Sequence, residues 1–262
     1  GLTAGPEQGW GSPQALVPGV LGVAAVAGFV LRERAAAAPI LPLGVFRSRT
    51  FTAANLVTLA VYAALGASFF LLPLQLQVVL GYTPFEAGAA LVPVTVVMLL
   101  FSARTGRLAG RIGPRLPMTA GPLVAGAGLL ALGQAGPDAS YWTDMLPWLL
   151  VFAAGLTLTV APLTATVLGS APTTMAGVAS AVNTTVARTA GLLAVAVVPP
   201  LAGISGAGAL EAASLTGGFT AGMRISAGLA VAGGLLALAT VRAPEREPAA
   251  PPMTACPVDA PR

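Results

Sequence analysis

The chain has 262 residues, of which 56% are hydrophobic and only 8% are charged, and its net charge is +4. Soluble globular domains carry about 25% charged residues, so most of this surface faces something other than water, and hydrocarbon is the solvent that fits. The chain has no His, and its one Cys, Cys256, cannot form an internal disulfide or a thiolate cluster. We therefore expect a membrane protein that is not an enzyme and uses no metal or cofactor.

Seven apolar runs are long enough to cross a bilayer. A backbone in hydrocarbon has to satisfy its own hydrogen bonds, so runs of this length are expected to be helices. The sequence predicts an all-α integral membrane protein with seven transmembrane helices, at residues 14–31, 51–75, 87–103, 116–132, 145–168, 176–198 and 219–241.

The loops between these spans differ in charge. Basic residues follow spans one, three and seven, and are Arg32, Arg34, Arg47, Arg49, Arg104, Arg107, Arg111, Arg115, Arg242 and Arg246. The opposite loops, 81–86, 133–144 and 199–218, hold acids and no basic residue. The positive-inside rule predicts a multi-pass protein of the cell inner (plasma) membrane, with its N-terminus outside and its C-terminus in the cytoplasm.

Several stretches together carry a family resemblance. They are Pro39-Ile-Leu-Pro-Leu-Gly-Val-Phe-Arg-Ser-Arg-Thr-Phe51, the segment 72–88 with Gly81-Tyr-Thr-Pro-Phe-Glu-Ala-Gly88, the segment 161–165, and the segment 176–191 with Asn183 and Arg188. This set resembles the C-terminal portion of the fourteen-span drug:proton antiporters of the major facilitator superfamily. The resemblance implies one linker helix plus a six-helix C-terminal transporter bundle.

The same comparison suggests three parts of the chain. Residues 1–50 would be a central linker helix and cytoplasmic loop, and residues 51–241 the C-terminal six-helix transporter bundle. Residues 242–262, rich in Pro and Ala, cannot bury apolar surface and are predicted to be a disordered cytoplasmic tail. Seven spans starting outside, with Gly as the first residue, lead us to expect that the N-terminal half of the transporter is missing from this chain.

The segment 106–115 is similar to the superfamily's repeated cytoplasmic loop between the second and third helices of each half. In that pattern, glycines permit a tight helix exit and a basic cluster locks against the partner bundle. Gly110 stands where the pattern has an acid. The gating candidates are Gly106, Arg107, Arg111, Gly113 and Arg115. The alternative is that these arginines only anchor the topology.

Polar side chains within the spans are the candidates for a substrate pathway, because an unpaired polar group costs several kcal/mol in hydrocarbon. Arg188 lies near mid-depth. It could hold an anionic substrate group, pair with a carboxylate outside this chain, or cap carbonyls exposed near Pro162 or Pro199. Asn183, five residues earlier, either lines the pathway or joins two helices.

Two further candidates lie in the second span. Asn55 is one turn into it and is expected to be a cavity wall, whereas Gln75 near its outer end is expected to be an interfacial cap. Arg224 is placed near the outer start of the seventh span, where its side chain would reach the interface.

No Asp or Glu falls within any predicted span. Proton coupling needs a protonatable group, which the resemblance places in the N-terminal half. We therefore predict the C-terminal half of a proton-coupled secondary transporter that exports small drug-like or antibiotic-like molecules by alternating access. The alternative is a non-transporting membrane scaffold or a nonfunctional truncated product. The expected partners are membrane lipid, a small-molecule substrate, protons and the N-terminal half, but no nucleic acid.

Small residues at four-residue spacing predict where helices approach closely. They are Gly121 and Ala125 in span four, Gly177 and Ala181 in span six, and Ser226, Ala230 and Gly234 in span seven.

Overall fold

A computed structural model describes residues 4–5, 9, 11–36, 41–205 and 211–241. The predicted tail 242–262, with Arg242 and Arg246, lies outside the described residues. The helices are α1 (Pro13–Ala35), α2 (Arg49–Val78), α3 (Pro84–Ala90), α4 (Val92–Ile112), α5 (Arg115–Leu132), α6 (Leu146–Gly169), α7 (Ala176–Leu201) and α8 (Ala212–Thr240). Short 3-10 turns occupy Leu43–Arg47 and Thr173–Met175, and a π-helical turn at Tyr141–Met145 leads into α6.

Within the described ranges, seven helical segments are long and apolar enough to cross a membrane. Five are single helices, α3 and α4 together form the third span, and the π-helical turn with α6 forms the fifth. The predicted all-α class and the number of spans are therefore confirmed. Each helix follows one of the predicted apolar runs, because hydrocarbon leaves the backbone no other way to pair its polar groups.

Two predicted boundaries were wrong. Helix α4 continues to Ile112, so Gly106, Arg107 and Arg111 lie on a helix and not in a loop. Helix α8 begins at Ala212 and not at 219, which puts Arg224 well inside the helix and away from its start. The apolar run marks only the part of a helix in hydrocarbon. Backbone hydrogen bonding carries the helix further, through residues that tolerate the helical conformation.

The helices α2, α4, α5, α6, α7 and α8 form one bundle. Helix α5 packs against α6 and α8, α2 packs against α7 and α8, and α4 packs against α6. Helix α1 stands apart: only 6% of its apolar window is buried among the described residues, compared with 44% for α2. The division into a central linker helix at 1–50 and a transporter bundle at 51–241 stays a prediction.

Small residues bring α5 and α6 close together. A Cβ atom on Gly155 of α6 would lie 2.7 Å from the Ala125 Cα, and one on Gly128 of α5 would lie 2.7 Å from the Phe152 backbone nitrogen. Gly121 and Ala125 are buried at this contact, as predicted. Because van der Waals contact replaces the hydrophobic effect between helices in lipid, such close approach stabilises the bundle.

The other two small-residue patterns differ from one another. Ser226, Ala230 and Gly234 are buried in α8, as predicted. Gly177 and Ala181 are exposed, and a Cβ atom on Gly177 would have no neighbour within 4 Å. The packing of this pair stays a prediction, since their side of α7 faces away from the described helices.

The two ends of the bundle are distinct. The arginine-rich end contains the start of α2 at Arg49, the end of α4 and the start of α5 at Arg115. It is tied by the Ser48 hydroxyl, which donates to the Ser170 carbonyl at 3.5 Å. At the opposite end, the Tyr141 hydroxyl donates to the Ala90 carbonyl at 2.9 Å. The depth of the site in the bundle is given by its distance from these two ends.

Candidate substrate cavity

A cavity of about 270 Å³ lies between α2, α6 and α7. Most of its wall comes from α7, which contributes one residue per turn or more along the same face. Hydroxyl, amide and guanidinium groups alternate with apolar side chains. The lining residues are Tyr62, Thr164, Val167, Leu168, Ser180, Asn183, Thr184, Ala187 and Arg188.

The cavity reaches the middle of the bundle. Arg188 is twelve residues after Ala176, the first of the 26 residues of α7, so it lies about 18 Å along a helix of about 39 Å. Tyr62 is likewise near the middle of α2 (Arg49–Val78). Asn183 and Thr164 lie closer to the arginine-rich end. The cavity therefore extends from mid-depth toward that end.

Asn183 connects the cavity to the interior of the bundle. Its Nδ2 donates to the Thr58 hydroxyl on α2 at 2.7 Å, and approaches the Asn55 Oδ1 at 3.4 Å. Asn55 is buried, with 6% of its surface exposed, and its own Nδ2 donates to the Phe51 carbonyl at 2.9 Å. The structure thus brings two predicted site residues together, with Asn183 on the cavity wall and Asn55 behind it.

Thr58 was not identified from the sequence. It is fully buried, and its hydroxyl donates to the Ala54 carbonyl at 2.9 Å while accepting from Asn183. A signal was present, because Thr58 is three residues after Asn55 and residues at that spacing share one helix face. Threonine is common within membrane helices, where its hydroxyl often bonds to its own backbone, so the spacing did not single it out.

Gln75 lies elsewhere. It is twenty residues after Asn55 on α2, which corresponds to about 30 Å of helical rise. Its side chain is fully buried, and Nε2 donates to the Ala135 carbonyl, in the connection between α5 and α6, at 3.3 Å. Within the described part of the chain, its Oε1 has no hydrogen-bond partner. Gln75 is not among the residues that line the cavity.

Arg188 and Arg224 are both exposed and both lie well inside their helices. They differ in surroundings, because Arg188 lines the cavity and Arg224 on α8 does not. The guanidinium of Arg188 makes no hydrogen bond to the side chains or carbonyls that the structure describes. Its five donors are therefore free of described partners at the open face of the cavity.

Acidic side chains in the described residues lie at helix ends or in the connections between helices. Glu33 is in the last turn of α1, is buried, and accepts from the Leu41 backbone N–H at 2.8 Å. Glu86 is in the first turn of α3, where it forms a capping box with Thr83. The expectation that no acid falls within a span holds for helix interiors but was wrong for these end turns, because the helices are longer than the apolar runs. In the described ranges, no three His, Cys, Asp or Glu residues lie close enough to hold a metal ion.

Three of the gating candidates are exposed on α4, and the other two, Gly113 and Arg115, lie where α4 ends and α5 begins. Gly106, Arg107 and Arg111 are exposed on α4, whereas Gly113 ends that helix with a φ of 87°, a backbone conformation that favours glycine. Arg115 donates from both Nε and Nη2 to the Leu238 carbonyl, at 3.1 and 2.8 Å. These two hydrogen bonds satisfy the Leu238 carbonyl in the last turn of α8 and link that turn to the start of α5.

A helical membrane bundle with a polar cavity at mid-depth is the arrangement of secondary transporters. Residues 7–195 match the sequence profile of the Major Facilitator Superfamily. The chain belongs to this superfamily, whose members are transporters and typically not enzymes, and the resemblance predicted from the sequence is confirmed.

Characterised relatives agree with this assignment. The chain is 32% identical over 198 residues to the tetracenomycin C resistance and export protein of Streptomyces glaucescens, covering 75% of this chain and 36% of that protein. It is 33% identical over 180 residues to the multidrug resistance protein Stp of Mycobacterium tuberculosis, covering 68% of this chain and 33% of Stp.

The tetracycline resistance determinant of Streptomyces rimosus is 31% identical over 196 residues, covering 74% of this chain and 56% of that protein. The chain thus spans between 33% and 56% of the length of these three relatives.

Proposed function

We propose that this chain forms the C-terminal half of a proton-coupled exporter of small drug-like or antibiotic-like molecules, working by alternating access. The observation that carries the proposal is the polar cavity between α2, α6 and α7, which reaches mid-depth in a bundle of otherwise apolar helices. Transporters of this architecture hold substrate near the bilayer midplane, at the interface between two halves. The arginine-rich end is assigned to the cytoplasm by the positive-inside rule.

The burial of the helices supports a partner bundle. Only 17% of the apolar window of the span formed by α3 and α4, and 22% of that of α7, is buried, compared with 56% for α5 and 50% for α6. Leu192, which is one turn beyond Arg188 on the same face of α7, is 74% exposed. A second bundle packed against α4 and α7 would cover these faces and close the cavity on its open side.

The proposed source of energy is the proton gradient. Proton coupling requires a group that can be protonated from both sides of the membrane, and a carboxylate is the usual one. The interiors of the described spans hold no acid, so we place the coupling carboxylate in the proposed N-terminal half. In this scheme Arg107, Arg111 and Arg115 lie on the cytoplasmic side, where Arg107 and Arg111 are free to contact that half.

The test is drug accumulation in a bacterium that lacks its own efflux pumps. The complete gene is expressed, and accumulation of fluorescent polyaromatic antibiotics is measured with and without a protonophore. Export predicts a several-fold lower accumulation, which the protonophore reverses. Unchanged accumulation across the panel would contradict export, and a lowered accumulation that resists the protonophore would contradict proton coupling.

A matched pair of variants ties export to the cavity. Thr184 lines it, whereas Thr240 is exposed at the end of α8, where its hydroxyl donates to the Leu236 carbonyl. Thr184→Trp should fill the cavity and abolish export, whereas Thr240→Trp should export normally in membranes with equal amounts of protein. Equal export by the two variants would show that this cavity is not on the pathway.

A further inference from the structure

The charge of the cavity is positive and is not balanced by any acid that the structure describes nearby. Arg188 is the one ionisable group among the lining residues apart from the Tyr62 phenol. The described acids lie away from mid-depth: Glu33 is in the last turn of α1, and Glu86, Asp138, Asp144 and Glu211 are at the opposite end of the bundle, with Asp138 in the connection between α5 and α6. The guanidinium is a cation with five hydrogen-bond donors and no acceptor.

The remaining polar groups of the cavity are suited to an anion as well. Tyr62, Ser180 and Thr184 each bring a hydroxyl that can donate a hydrogen bond, whereas the Thr164 hydroxyl already donates to the Val160 carbonyl at 3.0 Å. The amide hydrogens of Asn183 are directed at α2, toward Thr58 and Asn55, so they are already used. The groups left to meet a ligand are therefore the five donors of Arg188 and three hydroxyls.

We propose that this cavity selects small organic anions, meaning molecules with a carboxylate or an acidic enol or phenol on an apolar ring system, and that Arg188 binds the anionic group. The proposal rests on the proposed function and names its substrate class. The guanidinium fork matches the two oxygens of a carboxylate, or the two oxygens of a deprotonated β-dicarbonyl. The apolar walls at Val167, Leu168 and Ala187 contact the ring system.

The size of the cavity fits the charged head of such a molecule. Pockets for drug-sized ligands are about 300–1,000 Å³, and this one is about 270 Å³ and open on one side. It therefore holds the anionic group and the adjoining ring, while the rest of the ligand contacts the surface across the opening. An amphipathic cation would meet the like charge of Arg188, which repels it.

The experiment is a binding measurement on the complete gene product in nanodiscs of zwitterionic phosphatidylcholine. Equilibrium dialysis compares 1-naphthylacetate with its neutral isostere 1-naphthylacetamide. A charge-assisted bond is stronger than a neutral one by 1–2 kcal/mol, so the anion should bind about tenfold more tightly than the amide. Equal binding of the two probes to the unaltered protein overturns the proposal, whatever the variants do.

Two variants of Arg188 test whether this residue is responsible for the preference for the anion. Arg188→Gln should reduce the anion-to-amide ratio to about one, and Arg188→Lys should restore part of it. Arg224→Gln is the matched control, since Arg224 is also exposed and inside a helix but does not line the cavity, and it should keep the full ratio. A ratio that survives Arg188→Gln, or that Arg224→Gln also abolishes, overturns the assignment to Arg188.

The binding readout separates this proposal from that of export. If the anion preference depends on Arg188 while the gene fails to lower drug accumulation, the anion site stands and export falls. If the gene lowers accumulation and the unaltered protein does not prefer the anion, export stands and the substrate class is wrong.

Discussion

Asn183 on α7 donates a hydrogen bond of 2.7 Å to the Thr58 hydroxyl on α2, and so joins the wall of the cavity to the buried core behind it. Thr58 is fully buried, and its hydroxyl donates a hydrogen bond to the Ala54 carbonyl. The hydroxyl oxygen can therefore accept the hydrogen bond from Asn183. The bond links α7 to α2 five residues before Arg188, on the helix that carries the guanidinium.

The first prediction concerns this bond. Thr58→Val keeps the shape of the side chain and removes the acceptor, so we expect a loss of about 1 kcal/mol, within the range measured for interhelical hydrogen bonds in membranes. Asn183→Leu should cost a similar amount, and the double variant little more than either alone. Unfolding in mixed detergent micelles gives these values.

Thr185→Val is the control, because its hydroxyl bonds only within α7, and its stability should be nearly unchanged. Additive losses in Thr58→Val and Asn183→Leu would show that the two side chains are not coupled.

The second prediction uses the contact between Gly66 on α2 and Gly191 on α7, which is asymmetric. A Cβ atom on Gly66 would lie 2.6 Å from the Gly191 Cα, whereas the nearest atom to a Cβ on Gly191 is the Tyr62 carbonyl oxygen at 3.9 Å. Gly66→Ala should therefore push α7 away and cost about 1–3 kcal/mol, as overpacking does.

Gly191→Ala should be tolerated, and could gain stability from the better helix propensity of alanine. Thermal unfolding of both variants in the same nanodiscs checks the difference. Similar melting temperatures for the two would contradict the described register of α2 and α7.

The third prediction separates structure from gating at the arginine-rich end. Arg115 donates two hydrogen bonds to the Leu238 carbonyl, whereas Arg111 is exposed on α4. Arg115→Gln should lower the free energy of unfolding by about 1 kcal/mol, because it leaves a helix-end carbonyl without its charged donor. Arg111→Gln should leave stability unchanged.

Transport rates measured on the same two variants test the gating role. If Arg111 contacts the partner bundle, Arg111→Gln alters transport without altering stability. An Arg115→Gln variant as stable as the unaltered protein would show that the two hydrogen bonds to α8 contribute nothing.

The fourth prediction concerns the start of α3. Thr83 accepts from the Glu86 backbone N–H at 3.3 Å, and the Glu86 carboxylate accepts from the Thr83 backbone N–H at 2.8 Å. Thr83→Ala should cost about 1 kcal/mol, the usual value of an N-cap.

Glu86→Gln is the matched variant and should cost less, since glutamine also completes a capping box. Hydrogen exchange of the amides at the start of α3 reads the effect locally. Faster exchange in Glu86→Gln than in Thr83→Ala would mean that the carboxylate charge, and not the threonine hydroxyl, holds this turn.

The sequence predicted the number and type of the helices, because a run of apolar residues in hydrocarbon has one way to satisfy its backbone. It predicted their ends less well. Ala212 and Ile112 lie outside the apolar runs, in polar surroundings where a helix and a loop differ little in free energy, so the choice depends on neighbouring helices. The position of Arg224 within α8 follows from that choice.

The sequence also indicated which polar residues could line a pathway. Asn183 and Arg188 were candidates because unpaired polar groups are costly at that depth. What the sequence left open was which residues they face. Gly121 with Ala125 and Gly177 with Ala181 have the same spacing, yet the first pair is buried against α6 and the second is exposed. Likewise Asn55 is behind the cavity wall and Gln75 is far from it, although both are amides on α2.

These differences arise from how the helices rotate and cross, which is a property of the whole bundle. Spacing along one helix fixes which residues share a face, but not what that face contacts. Thr58 is a partner of Asn183 because α2 and α7 pack together, with a close approach at Gly66 and Gly191 as well. The sequence alone determined a seven-helix membrane protein with a few buried polar groups; the tertiary structure decided that Arg188 and Asn183 share one cavity, because only packing sets the relative rotation of the helices that carry its walls.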